Sequence, residues 1–84
     1  MADAVQFWVA CFRMEDGRPV EASRRGTESA ADAVTLANAS VPTYAGAIAY
    51  ELTRDGERLR TVQGLTHVGV VQAAEFLESL WVAG

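Results

Sequence analysis

The sequence predicts an α+β fold in which two ββα units form one four-stranded antiparallel sheet with two helices packed on one face. Two observations predict this arrangement. The steps Asp16-Gly17 and Asp55-Gly56 each stand between two strand-like segments, and Asp-Gly is typical of tight hairpin turns because those turns require positive φ. In each half a helix-like segment follows the second strand-like segment, so the same order of elements occurs twice.

The two halves align as an internal repeat. A shift of 39 residues places the second Asp-Gly step on the first and aligns Thr27 with Thr66. The repeats span about residues 4–41 and 44–83 within a single domain, residues 1–84. A chain of this length buries only about 60–65% of the surface that its unfolded form exposes, so it would gain stability from dimerising.

The first unit opens with a strand-like segment, residues 5–14, that is apolar on both faces. This pattern predicts a strand that is covered on both sides or that lies in an interface. Residues 19–22 are the predicted return strand. Pro19 has no N–H to donate to a neighbouring strand, so the return strand is predicted to lie at an edge of the sheet.

A polar connection at residues 23–26 leads to the first predicted helix. Thr27 is its predicted N-cap, and Glu28 follows in the first turn, where a carboxylate is favourable. The helix is predicted to end at about Ala39, shortly before Pro42, because the residue that precedes a proline is biased away from helical backbone.

The second unit opens with the central hairpin, residues 44–63. If Asp55-Gly56 is its turn, Leu52 faces Leu59 and the apolar side chains of the two strands meet. Alternate residues of the first strand are small and would let another element approach closely; they are Ala45, Ala47 and Ala49.

The last predicted helix begins at Thr66 and ends at about Val82. Thr66 is the second N-cap candidate. Gly69 lowers helix propensity by roughly 1 kcal/mol relative to Ala, so an onset as late as Val70 stays open.

Composition limits the classes of partner and the location. Eleven acidic and seven basic residues leave a net charge of −4, which argues against nucleic acid or an anionic membrane as a partner. The single cysteine, Cys11, cannot form an intrachain disulfide, which is compatible with a reducing cytoplasm. The first residues lack the pattern of a signal peptide, and no apolar run approaches the roughly 20 residues of a membrane span. We therefore predict a cytoplasmic protein, and its arginine and alanine usage is typical of bacteria.

Four polar residues are candidates for a ligand or anion site. Arg24, Arg25 and Thr27 precede the predicted helix N-terminus, where free N–H groups and the helix dipole favour an anion. His67 could act as an acid or base because its ordinary pKa lies near neutrality. The alternative is that the arginines are solvated loop charges and the histidine an ordinary surface residue. No catalytic motif, metal site or cofactor is predicted.

Aromatic residues are the candidates for an interface. With both helices on one face, the other face of the sheet would carry large apolar side chains, which need cover on a soluble protein. The candidates are Trp8, Phe12, Tyr44, Tyr50 and Trp81. The alternative for the two tryptophans is ordinary core packing. The predicted partner is a second copy of the chain, with another protein or a small apolar ligand as further possibilities.

One segment resembles a known family. Residues 25–33, with a Gly-Thr step that leads into an alanine-rich run, resemble the strand-to-helix passage of the HicB-type antitoxin fold. The likeness covers less than a third of the chain, and no residue role is transferred from it. Here a second complete ββα unit is predicted instead of that family's further strand and DNA-binding segment.

Together these observations predict a small, non-enzymatic interaction module of unknown cellular role that homodimerises through a sheet face or edge. One alternative is an antitoxin-like regulatory partner that masks a basic protein, for which the net negative charge is suitable. A second alternative is a small enzyme whose site forms at a dimer interface, with His67, a tyrosine and an arginine contributed by different protomers.

Overall fold

A computed structural model describes residues 5–55 and 58–69. The four strands form one antiparallel sheet in the order β2-β1-β3-β4, so the predicted four-stranded sheet is confirmed. In chain order the elements are β1 (Val5–Glu15), β2 (Arg18–Thr27), α1 (Ala30–Ser40), β3 (Gly46–Asp55) and β4 (Arg58–Gly69).

The expectation of two helices on one face of the sheet is wrong. The described residues contain one helix, α1. The helix predicted from Thr66 does not begin there, because β4 continues to Gly69 and Thr66 pairs with Ala49 of β3. Thr66 and Val68 are β-branched and suit a strand. The rest of the predicted helix, with Trp81, lies outside the described residues.

The first hairpin is confirmed. Asp16 and Gly17 both have positive φ, 52° and 78°, as a two-residue turn requires, and Glu15 pairs with Arg18 on either side of the turn. The edge position predicted from Pro19 is also confirmed, since β2 has β1 as its one strand neighbour in the described sheet. However, β2 is longer than predicted: the expected polar connection at residues 23–26 is part of the strand.

The first helix begins later than predicted. Ser29, in extended backbone, is the N-cap, and its hydroxyl accepts a hydrogen bond of 3.1 Å from the Asp32 amide. The N-cap prediction for Thr27 is wrong because Thr27 is still paired with Phe7 as the last residue of β2. The Thr27 hydroxyl instead donates to the carbonyl oxygen of Ser29 at 3.1 Å, which ties the end of the strand to the helix cap.

The predicted register of the second hairpin is also wrong. Asp55 pairs with Arg58, and Leu52 pairs with Val62 rather than with Leu59. The register shifts between Thr53 and Arg54 and again between Ala49 and Tyr50. The departure begins beside the turn, before either shift, because Leu59 already pairs with Arg54. Each shift then adds a residue to one strand and moves the pairing further from the register counted outward from Asp55-Gly56.

Helix α1 packs on one face of the sheet, which we call the helix face. Its buried alanines, Ala33 and Ala37, lie against Ala47 and Ala49 of β3, as expected from the row of small residues in that strand. Small side chains on both elements let the helix approach the strands closely. Two β1 residues complete this buried cluster, and they are Val9 and Cys11.

Candidate functional site

The opposite side of the sheet, which we call the outer face, is also apolar and buried. Its central side chains belong to Trp8, Ala10, Phe12, Ile48, Tyr50 and Leu52. Trp8 pairs with Tyr50, and Ala10 pairs with Ile48, across the two central strands. Ile48 and Tyr50 are 0% exposed and Phe12 is 5% exposed, although α1 lies on the other face. Both faces of the central strands are therefore withdrawn from solvent within one chain.

Trp8 extends the outer face toward the edge strand. It pairs with Gly26 of β2, and its indole ring lies 3.6 Å from the position that a Cβ on Gly26 would occupy. The indole Nε1 donates a hydrogen bond of 3.2 Å to Oε1 of Gln6 on the same strand. The glycine leaves room for the ring, so Trp8 can lie flat across the ladder between β1 and β2.

An ion pair borders the outer face along β2. Nη2 of Arg24 donates to Oε2 of Glu21 at 2.9 Å, and its Nε donates to the same carboxylate at 3.1 Å. Residues three apart on a regular strand point to opposite faces. Here the register shift leaves Ala22 without a partner in β1, and this bulge brings both side chains to the outer face.

The charges of this ion pair affect the pKa of Tyr50. Burial raises the pKa of its phenol, while Arg24 lowers the pKa and Glu21 raises it through their charges. The largest of these effects is burial, so the ring is held as a neutral phenol. A phenol of this kind contributes packing area and polarity but is a poor general base near neutral pH.

The four residues predicted for an anion site do not form one cluster. Arg25 pairs with Val9 and so belongs to the helix face, whereas Arg24 pairs with Ala10 on the outer face. His67 pairs with Ile48 at the far side of the outer face. Three strand spacings separate it from Arg24, which corresponds to about 14 Å. Thr27 ends β2 and is hydrogen-bonded to backbone carbonyls. The anion site stays a prediction.

Three of the five predicted interface aromatics do come together. Trp8, Phe12 and Tyr50 share the outer face. Tyr44 lies between α1 and β3 and packs against the helix-face cluster, while Trp81 lies outside the described residues. The sequence reasoning missed Glu21 and Gly26. A glycine opposite a tryptophan in a paired strand is the signal that could have found Gly26.

The free side of β2 is an open sheet edge. This strand has ten residues, of which most are exposed to solvent, including Glu21, Arg24 and Arg25. Pro19 and the bulge at Ala22 interrupt it, and both are devices that discourage pairing at an edge. The exposed main chain from Glu21 to Thr27 could still pair with another strand if Ala22 stays out of that ladder, as it stays out of the ladder with β1.

Within residues 5–55 and 58–69, no group of three or more His, Cys, Asp or Glu side chains is arranged to hold a metal ion. None of the helical structure in those same ranges is long and apolar enough to cross a bilayer.

Comparison with protein-family models, with curated proteins and with solved structures found no match to this chain. Its likeness to the HicB-type antitoxin fold therefore stays a resemblance of one short segment. The described residues define a small α+β fold with one four-stranded antiparallel sheet and a helix on one of its faces.

Proposed function

We propose that this protein is a small, non-enzymatic interaction module that homodimerises through the open edge of β2. The observation that carries the proposal is that the central strands are buried on both faces, with Val9 and Ile48 each 0% exposed, while the main chain of β2 has strand partners on one side only within the described sheet. An open strand edge presents unpaired N–H and C=O groups that another strand can bind.

A second copy of β2 suits this edge electrostatically. In the β1–β2 ladder, Glu21 and Arg24 are each one residue pair away from Ser23, on opposite sides of it, because the bulged Ala22 has no partner in β1. Antiparallel pairing of two copies about Ser23 therefore sets Glu21 of each copy opposite Arg24 of the other. Opposite charges across paired strands each contribute about 0.2–1 kcal/mol, so the edge is complementary to itself, as a two-fold interface requires.

The test uses proline at two neighbouring positions of the edge strand. In an antiparallel ladder the N–H groups of successive residues point alternately to the two sides. Arg24→Pro and Arg25→Pro therefore differ: one removes a hydrogen bond to β1, and the other removes only a donor that faces outward. We expect one of the two variants to fold with wild-type circular dichroism and to be monomeric by sedimentation equilibrium. Arg24→Ala and Arg25→Ala keep the N–H and should remain dimeric.

Two results would contradict the proposal. One is a wild-type chain that stays monomeric throughout the micromolar range. The other is a folded proline variant whose dimer dissociation constant equals that of the wild type, because a dimer through the β2 edge must lose at least one main-chain hydrogen bond on each side of its two-fold axis.

A further inference from the structure

We infer that Arg18 of each copy binds Glu28 of the other, and that these two contacts make the dimer selective for a second copy of this chain. The inference rests on the dimer that we propose through the edge of β2. Arg18 is the first residue of β2, and Glu28 directly follows its last residue, Thr27. Both side chains are exposed. Within residues 5–55 and 58–69, neither takes part in an ion pair.

The register that joins these two ends is the one that pairs the whole edge strand. Nine residues of β2 have partners in β1, from Arg18 to Thr27 with Ala22 left out. Ser23 is the fifth of these nine, so two copies paired about Ser23 overlap along the full strand. Any other centre leaves residues at the ends without main-chain partners. In this register Arg18 of one copy lies opposite Thr27 of the other.

The distance between the two side chains is short in this register. Residues directly opposite each other in an antiparallel ladder have Cα atoms about 5 Å apart. Glu28 follows Thr27, and consecutive Cα atoms are about 3.8 Å apart. The Cα atoms of Arg18 and of Glu28 in the other copy are therefore at most about 9 Å apart. An arginine and a glutamate that extend toward each other can bridge this separation.

The main chain on the Glu28 side of the contact is held in place within its own copy. The hydroxyl of Thr27 donates to the carbonyl oxygen of Ser29 at 3.1 Å, and Ser29 caps α1. Glu28 thus stands between the end of a strand and the start of a helix. Because its main chain is already positioned, a contact there costs less ordering entropy on association.

The arginine on the other side is positioned but remains available. Arg18 is paired with Glu15 beside the Asp16-Gly17 turn. The carboxylate of Glu15 binds the side chain of Arg13, at 2.6 Å, rather than that of Arg18. The hairpin therefore presents an arginine next to the open edge without an acidic partner of its own.

The symmetry of the dimer doubles this contact. A two-fold axis relates the copies, so Arg18 meets Glu28 once on each side of the axis. Reversing one of these charges changes both contacts from attraction to repulsion. Opposed charges of this kind distinguish a matching partner from another open strand edge that would offer the same main-chain hydrogen bonds.

An exchange of charges between two full-length variants tests the contact. Arg18→Glu and Glu28→Arg each set like charges against each other in their own homodimer, whereas a heterodimer of the two has opposite charges at both contacts. At about 0.15 M salt, we expect each homodimer dissociation constant to rise at least about tenfold. In an equimolar mixture, native mass spectrometry should find about nine-tenths of the dimers to be heterodimers, against about half without preference.

The double variant Arg18→Glu/Glu28→Arg controls for damage to the fold. It carries both substitutions but restores opposite charges at each contact. Its dimer dissociation constant should return to within about threefold of the wild-type value. A double variant as weak as either single variant would overturn the inference, provided that its circular dichroism matches the wild type.

Arg13→Glu is the matched control for position. Arg13 is exposed on the same hairpin, but it lies on β1, one strand behind the edge, and binds Glu15 of its own chain. Mixed with Glu28→Arg, it should give only about half heterodimers, because no contact is restored in the mixed dimer. An equal heterodimer excess in this mixture would overturn the assignment of the contact to Arg18.

The outcomes separate this contact from the dimer itself. If the Arg18→Glu and Glu28→Arg mixture stays at about half heterodimers while a folded proline variant of β2 is monomeric, the edge dimer stands and the inference fails. If the wild-type chain is monomeric throughout the micromolar range, the dimer and the contact both fail.

Discussion

The indole ring of Trp8 lies across Gly26, 3.6 Å from the position that a Cβ there would take. The two residues are directly opposite each other in the β1–β2 ladder. A tryptophan beside a glycine shields main-chain hydrogen bonds that would otherwise be exposed where a strand has no side chain. This pair joins the buried centre of the outer face to the edge strand that we propose as the dimer interface.

Removal of the ring should cost more than modification of the glycine. Trp8 is half-buried, so Trp8→Ala should lower the free energy of unfolding by about 2 kcal/mol, less than the roughly 3–5 kcal/mol of a fully buried aromatic. Gly26→Ala is the control. A methyl group 3.6 Å from the ring makes an ordinary contact, so this variant should be neutral or more stable by up to about 1 kcal/mol. Denaturant unfolding measures both, and a Gly26→Ala variant less stable than Trp8→Ala would contradict this geometry.

Gly69, at the end of β4, should not tolerate a side chain. Its φ is +82°, and a Cβ there would lie 2.1 Å from the carbonyl oxygen of Ala45. Gly69→Ala should therefore cost about 3 kcal/mol or more, from positive φ and from the clash together. Gly17→Ala shares the positive φ but has open space around it, so about 1–2 kcal/mol is expected. Equal losses in chemical denaturation would show that the Ala45 carbonyl is not the obstacle.

The sequence was sufficient for the parts of the fold that short-range chemistry determines. The turn at Asp16-Gly17 needs positive φ at two residues, and the sequence offers a pair that tolerates it. The edge position of β2 followed from the missing N–H of Pro19. Similarly, the row of small side chains at Ala47 and Ala49 anticipated the close approach of α1.

Features that depend on bulges were not predictable in this way. An extra residue such as Ala22 has no sequence signature of its own, yet it places Glu21 and Arg24 on the same face. In the second hairpin the pairing differs from the predicted register already beside the turn, where Asp55 pairs with Arg58, and the register shift between Thr53 and Arg54 displaces the remaining predicted pairs further. Sequence also offers no rule for how far an edge strand continues, and for that reason Thr27 was mistaken for a helix cap.

The cap assignment can be tested at Ser29. Its hydroxyl accepts from the Asp32 amide at 3.1 Å, so Ser29→Ala should lower the free energy of unfolding by about 1 kcal/mol. Ser29→Asp retains an acceptor at the same place and should restore most of that loss. Urea unfolding of the three proteins checks the order. If Ser29→Ala is as stable as the wild type, the helix takes its cap from another residue.

Packing between α1 and the sheet should reject larger side chains on one side of the helix only. Ala37 is 0% exposed against the helix-face cluster, so Ala37→Leu should cost about 1–3 kcal/mol through overpacking. Ala39 is exposed, and Ala39→Leu should change stability by less than about 0.5 kcal/mol. The rate at which a thiol reagent labels the buried Cys11 gives a second measure of this packing. Labelling requires the helix-face cluster to open, because Cys11 is part of that cluster. Faster labelling is expected in Ala37→Leu alone, and similar rates in both variants would contradict this packing.

The buried phenol of Tyr50 should make the fold sensitive to alkali. Its pKa in the folded chain is raised, chiefly by burial, above the value of about 10 for a tyrosine in an unfolded chain. As the pH rises past about 10, the unfolded chain releases the proton while the folded chain keeps it, so the unfolded state is favoured increasingly. Below that pH both states keep the proton and this residue adds no pH dependence. Tyr50→Phe should therefore flatten the fall in unfolding free energy between about pH 9 and pH 11, with each protein compared with its own stability near neutrality. Tyr44→Phe, at a half-buried tyrosine on the helix face, controls for the loss of one phenol. An alkaline fall that is equally steep in the wild type and in Tyr50→Phe would show that the outer face admits solvent to the ring.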